Sequence, residues 1–325
     1  MRTRIAEVDV LRGFALFGIS IVNTVGITGM PVDGRSGGAA YWAYETLLHQ
    51  RFFPIFSFLF GVGFGLFLEA AGEKVCRPRV AMLARLGFLV PFGALHRLLQ
   101  PDEVLLSYAV VGIVVLLPAS FLPGRAVLAL GAVVTVAAVL VTGGGSVLIP
   151  GLFLLGYAAQ RHGIEKLLGL SGRCLAAVFG VGLLLAVVLN VWQVGNGSGS
   201  GTRLAAVAGL ATAATYVVLI LLLLRSRARG ALEVLAPLGR MALTGYIGAT
   251  LMIVLADHFA DLGKDPAYGM AVSLGICVFL VELAFSSLWL RYAWYGPLEW
   301  VWRCLTWWDV VPIRRRRGRA AVEGG

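Results

Sequence analysis

Runs of apolar residues, most of them close to one bilayer long and separated by short polar breaks, recur along the whole chain. They predict ten membrane-crossing helices over residues 13–30, 52–68, 83–99, 104–122, 126–142, 147–159, 174–194, 204–224, 241–256 and 268–290. Most approach the ~20 apolar residues that carry a helix through the hydrocarbon layer. A helix satisfies each backbone N–H and C=O within itself, which lipid demands. The pattern predicts an all-α polytopic membrane protein with residues 1–325 as a single membrane domain.

Composition supports this. Hydrophobic residues make up 59% of the 325, charged residues 14%, and mean hydropathy is +0.86. A soluble core of this length could not hide so much apolar surface. Charge then fixes the count, because the sixth segment is short. With ten crossings and a cytoplasmic N-terminus, only Arg35, Arg51, Arg97, Arg203 and Lys264 of the 27 Lys and Arg lie outside. Removing the sixth crossing would expel Arg225, Arg227, Arg229 and the run Arg314-Arg315-Arg316-Arg317, against the positive-inside rule. Both termini are therefore expected in the cytoplasm. The net charge of +10 reports topology rather than nucleic-acid binding, with the arginine run resting on anionic lipids.

Other features narrow the classes. Met1–Val10 is charged and no small-residue cleavage site follows, so a cleavable signal peptide is not expected. Cys76, Cys174, Cys277 and Cys304 have no CxxC spacing, which argues against a disulfide or a metal site. Three lysines against 24 arginines suggest a GC-rich bacterial genome and hence a bacterial cytoplasmic membrane. Residues 195–201, Gly-Asn-Gly-Ser-Gly-Ser-Gly, form a flexible outer linker. Gly61-Val62-Gly63-Phe64-Gly65 lies inside a span, so it predicts a helix-packing seam, not a nucleotide loop.

Candidate chemistry gathers at the two rims. His49, His96 and His258 fall at the outer boundary with Asp102, Glu103, Asp257, Asp261 and Asp265. Imidazole is the natural base near neutral pH, and an adjacent carboxylate fixes its tautomer. His96 ends the third span and Asp102 opens the fourth, across the tight Gln100-Pro101 turn, so the two are expected to face each other. At the inner rim Asp9 and Arg12 share a helix face. Glu282 lies deep in the tenth span and needs a partner, with Arg240 and Arg291 as the candidates. Six of the eight tryptophans crowd into 289–308, an interfacial aromatic belt, and Gly296-Pro297 breaks the helix there.

Several motifs then converge. Val8-Asp9-Val10-Leu11-Arg12-Gly13-Phe14-Ala15 with Asn23, the stretch from Phe52 to Gly61, His96 to Asp102 with Tyr108-Ala109, Leu235 to Thr244, and Gly296-Pro297-Leu298-Glu299-Trp300-Val301-Trp302-Arg303 together resemble YeiB-like bacterial membrane proteins over nearly the whole chain. The half 161–325 carries the more specific YeiB-like motifs. The half 1–160 is similar to heparan-α-glucosaminide N-acetyltransferase through Asp9-x-x-Arg12-Gly13, Asn23 and Phe53-Pro54. That family moves an acetyl group from cytoplasmic acetyl-CoA across the membrane to an amino sugar. Its catalytic histidine lies in the first outer loop, where this chain has Ala39-Ala40-Tyr41-Trp42; His49 is the nearest substitute.

This resemblance implies an acyltransferase using acetyl-CoA or another acyl-CoA. Arg12, Arg240 and Arg303 would meet the CoA phosphates. His96, oriented by Asp102, would act as base, with His49 as the competing histidine. Asn23 or Tyr108 would donate to the oxyanion. The acceptor would be a sugar, lipid or metabolite, no metal or nucleic acid is called for, and a homodimer is compatible. The alternative is a multi-pass transporter or exporter of a small molecule, against which the lack of an internal repeat weighs.

Overall fold

The computed structural model describes residues 5–29, 38–260 and 268–315. Met30, Arg35, Asp261, Lys264, Asp265, Arg316 and Arg317 lie outside the described residues. The helices that matter here are α1 (Ala6–Ile27), α2 (Ala39–Leu47), α3 (Phe52–Gly72), α4 (Pro78–His96), α5 (Leu105–Ala119), α6 (Gly124–Thr142), α7 (Ile149–Arg161), α8 (Gly172–Gly195), α9 (Arg203–Leu223), α10 (Ala236–Arg240), α11 (Ala242–Ala260), α12 (Tyr268–Tyr292) and α13 (Pro297–Trp307).

All ten predicted spans are helical. Among the described residues, eight segments are long and apolar enough to cross a membrane: α1, α2 and α3 as one 34-residue segment, α4, α6, α8, α9, α11 and α12. The other two predicted spans are shorter. In α5 the bonding widens to a π turn over Gly112–Leu116, just before Pro118, which has no N–H to give. α7 has only 13 residues but lies between α3 and α6, with Phe153, Leu154 and Ala158 fully buried. Covered by protein, it does not need the length of a lipid-facing helix.

Two glycine contacts set the frame. Gly61 of α3 backs onto the Phe153 carbonyl of α7, and Gly156 of α7 backs onto the Phe58 carbonyl of α3. A Cβ at either would collide with backbone, so the predicted seam packs at backbone distance. Gly13 of α1 lies against the Leu235 carbonyl, while Gly239 of α10 lies against the Asp9 carbonyl. This second interlock joins the first span to a segment far along the chain. It also brings Arg12 and Arg240, the neighbours of these glycines, to the same end of the bundle.

α8 and α9 form a peripheral hairpin. α8 exposes Val181, Leu184 and Val191, each about two-thirds accessible, an apolar face suited to lipid. The start of α1, α10 and α13 all sit at one end, called here the arginine end. α2, the turn after α4 and the last turn of α11 sit at the other.

Two segments differ from the sequence reading. Residues 39–47 form a helix rather than loop, which matters for His49. The tryptophans after Trp289 also do more than form a belt: Trp302 Nε1 donates to the Arg85 carbonyl at 2.6 Å, and Trp300 Nε1 donates to the Val311 carbonyl at 2.8 Å. The first fastens α13 to α4, and the second ties it to the segment that follows it.

Candidate functional site

A cavity of about 670 Å³ runs between α1, α3, α4, α5, α11 and α13. Its wall on α3 extends from Phe52 to Ala70, which at 1.5 Å per residue is about 27 Å of rise, close to the hydrocarbon thickness. The middle is aromatic, with Phe56, Phe60 and Tyr108. The two ends differ in chemistry.

Arg12, Arg85, Arg240 and Arg303 line the arginine end. Arg12 is 3.6 Å from Asp9 on its own helix, as the spacing predicted, and its Nη2 donates to the Leu59 carbonyl at 3.4 Å. Arg240 Nη2 donates to the Trp294 carbonyl at 3.4 Å, and Arg303 lies 4.8 Å from the Tyr295 ring. Arg85 is sandwiched by rings, 3.6 Å from Trp302 and 4.9 Å from Phe67, within electrostatic reach of Arg303 and Arg12. Its signal was in plain view: an arginine inside an apolar span is costly unless it is used or satisfied.

Glu299 of α13 closes this end. Its Oε1 accepts from the N–H groups of Leu243 at 2.7 Å and Thr244 at 3.0 Å, and its Oε2 accepts from the Thr244 hydroxyl at 2.6 Å. It caps the first turn of α11 from another helix, where a negative charge is favoured. Burial pushes its carboxyl above the usual carboxylate range, and the bonds from Thr244 and Leu243 oppose that.

Asn23, Gln50, Gln100 and Asp102 line the far end. The expected pairing of His96 with Asp102 does not form. His96 is sealed, with its side chain 0% accessible, and its Nδ1 lies 3.5 Å from Glu103 Oε2. Its Nε2 lies 2.9 Å from Thr250 Oγ1, which in turn donates to Gln100 Oε1 at 3.1 Å. Glu103 accepts from the N–H groups of Leu105 and Leu106 and so caps α5, while Asp102 next to it faces the cavity. The tight turn leaves Asp102 exposed and turns Glu103 inward, the reverse of the expected roles. His96 thus ties α4, α5 and α11 together and does not form part of the cavity wall.

His49 differs. Helix α2 places Glu45 one turn before it, and the Glu45 Oε1 lies 2.6 Å from His49 Nδ1. The Glu45 side chain is 1% accessible and that of His49 is 26% accessible. The ring stacks on Tyr44 at 5.4 Å, and its chain neighbours Leu48 and Gln50 line the cavity. A buried carboxylate on Nδ1 leaves Nε2 as the outward nitrogen, the arrangement of an oriented general base. Glu45 was missed because the i, i+4 relation appears only once 39–47 is read as helix.

The remaining candidates divide. Asn23 Nδ2 is buried on the cavity wall with no hydrogen-bond partner among the described residues. Tyr108 Oη is 2.6 Å from Ser57 Oγ, midway along the cavity. Glu282 meets neither Arg240 nor Arg291; its carboxylate has no side-chain partner among the described residues and lies beside Gly245 and Gly248.

Fold and cavity together define a polytopic α-helical membrane protein with an internal cavity, lined by arginines at one end and flanked by a histidine–carboxylate pair at the other. Residues 159–309 match the family described as "Protein of unknown function (DUF418)". The chain is 34% identical over 333 residues to the uncharacterized 39.9 kDa protein in the amylase 3' region of Bacillus acidopullulyticus, covering 95% of this chain and 96% of that one. It is 27% identical to the uncharacterized protein YxaH of Bacillus subtilis strain 168, with 96% of each covered. Identity to the uncharacterized protein YeiB of Escherichia coli K12 is 26%, over 93% of this chain and 96% of that relative. The chain belongs to this YeiB-like family of membrane proteins.

Proposed function

We propose that this protein is an acyltransferase of the bacterial cytoplasmic membrane, carrying an acyl group, best an acetyl group, from cytoplasmic acyl-CoA to a hydroxyl or amine at the outer face. The observation that carries this reading is the cavity: its wall on α3 rises about as far as the hydrocarbon layer is thick, it is cationic at one end and it is flanked by an oriented imidazole at the other. The excess of Lys and Arg on the segments at the arginine end supports a cytoplasmic orientation for that end and for both termini.

In this reading Arg12, Arg240, Arg303 and Arg85 hold the CoA phosphates through charge-assisted pairs. The pantetheine arm lies along the aromatic middle and presents the thioester near Asn23. His49 Nε2 takes the acceptor's proton as the acceptor's oxygen or nitrogen bonds the acyl carbon. Asn23 Nδ2 donates to the oxyanion. The carbon–sulfur bond then breaks, and the departing thiolate takes the proton back from the imidazolium. Glu45 orients the ring and stabilises its charged form. An exporter reading rests on the same cavity, and it predicts solute movement without thioester cleavage.

Proteoliposomes separate the two. With acetyl-CoA outside inside-out vesicles and glucosamine, glucose or glycerol in the lumen, acyl transfer predicts thiol release that depends on the lumenal acceptor. CoA should also raise the thermal midpoint in a concentration-dependent way, because it binds the native state. If CoA does not stabilise the protein and acetyl-CoA releases no thiol with any acceptor, this reading is overturned.

A further inference from the structure

Arg51 is among the largest fully buried side chains of the molecule, 1% accessible at the start of α3. Its guanidinium meets neutral acceptors. Nε donates to the Thr46 carbonyl at 3.1 Å and Nη1 to the His49 carbonyl at 2.9 Å. Nη2 donates to Asn190 Oδ1 and Gln193 Oε1, both at 3.0 Å. Two of these acceptors belong to the end of α2 and the turn that holds His49, and two belong to α8. Asn190 is itself held by donating to Thr212 Oγ1 of α9 at 3.0 Å.

The turn it grips is strained. Gln50, between His49 and Arg51, has φ of +56°, a left-handed conformation uncommon for a residue with a side chain. Such a conformation persists where the surroundings over-determine it. Here they do: a Cβ on Gly209 of α9 would sit 3.1 Å from the Gln50 carbonyl and 3.3 Å from Arg51 Nη1. The peripheral hairpin of α8 and α9 thus provides a polar socket for one side chain.

We infer that Arg51, seated in the α8–α9 socket of Asn190, Gln193 and Gly209, is the positioning residue that holds His49 against Glu45 beside the outer mouth of the cavity. This rests on the acyl-transfer reading for its catalytic consequence, though not for its geometry. A planar fork is needed, because four acceptors in three directions cannot be served by one ammonium group. Misplacing a reacting group by about 1 Å costs roughly 100-fold in rate.

Protein with ¹⁵N-labelled histidine, reconstituted in nanodiscs, provides the test, with the His49 signal assigned by its loss in His49→Ala. In the native protein His49 should show one tautomer, protonated at Nδ1 toward Glu45. Arg51→Lys should mix the tautomers and lower kcat for transfer roughly 100-fold while KM for acetyl-CoA stays the same. If Arg51→Lys fails to fold, Gly209→Ala, which asks its neighbours to yield only a few tenths of an ångström, should shift the same signal less. An unchanged His49 signal in both variants, or in Gly209→Ala and Asn190→Ala where the lysine variant is lost, overturns the inference while leaving acyl transfer standing. A signal that shifts in a native protein showing no transfer keeps the positioning role and removes the acyltransferase.

Discussion

Two turns at the same end of this molecule each hold a histidine beside a glutamate, and they have opposite fates. After α4, His96 meets Glu103 with no accessible ring surface, both nitrogens engaged and the carboxylate already capping a helix. After α2, His49 meets Glu45 at 2.6 Å with a quarter of its side chain open and cavity-wall residues on either side. The same two side chains make a staple in one place and a candidate base in the other. Residue type and proximity do not separate them; the second ring nitrogen does, bonded to Thr250 in His96 and left by Glu45 without a side-chain partner among the described residues in His49.

The sharpest way to break this comparison is to remove each imidazole. His49→Ala should lower transfer about 1000-fold, within the range for loss of a general base, with CoA-induced stabilisation intact. His96→Ala should leave turnover per folded molecule within a few fold. Equal losses in the proteoliposome assay would erase the distinction.

Next in size are the arginines. Arg12→Ala, Arg240→Ala and Arg85→Ala should each weaken CoA binding by roughly 10- to 100-fold, the loss of a charge-assisted pair of about 1.5–3 kcal/mol. Titration calorimetry should show this with the His49 signal undisturbed. Arginine variants that bind CoA normally would mark these residues as anchors only.

His96→Ala then reappears as a stability variant. Leaving Glu103 and Thr250 short of a partner should cost about 1–3 kcal/mol, read as a lower thermal midpoint in detergent, and more than His49→Ala costs. The smallest effect concerns a third carboxylate, Glu299. Its pKa is raised by burial, so the folded state keeps this proton to higher pH than the unfolded chain does. Stability should therefore fall as pH rises above the ordinary carboxylate range. Glu299→Gln, which cannot titrate, should flatten that slope by a few tenths of a kcal/mol.

Much of this was legible in the chain. Helix positions follow from the apolar runs, and the Gly61–Gly65 seam from its spacing, whereas ten crossings were expected and eight segments among the described residues are long and apolar enough. That the sixth segment is short was already visible in the chain; that α7 is covered by α3 and α6, and that α5 widens to a π turn, shows only with the neighbours in place. The arginine end was readable from Arg12 and Arg240 in their motifs, and Arg85 was readable too, as a charge inside an apolar span, though the motifs did not point to it. The end opposite the arginines was misread for a local reason. Across a tight turn, one residue of register decides which of Asp102 and Glu103 faces inward, and sequence proximity favoured the wrong one. Arg51 could not be found at all, because Asn190 and Gln193 approach it from more than a hundred residues away.

The interlock of Gly13 with the segment ending at Gly239 has a consequence for how the protein is made. The first span leaves the ribosome about 200 residues before its partner does. At ~5–20 residues per second, it waits roughly 10–40 s in the bilayer with a backbone-deep notch uncovered. During that interval Arg12 has Asp9 three residues away on its own helix, a local counter-charge available from the start. The cationic mouth is therefore among the last parts to assemble, and a chain truncated before residue 239 would insert its early helices without building it.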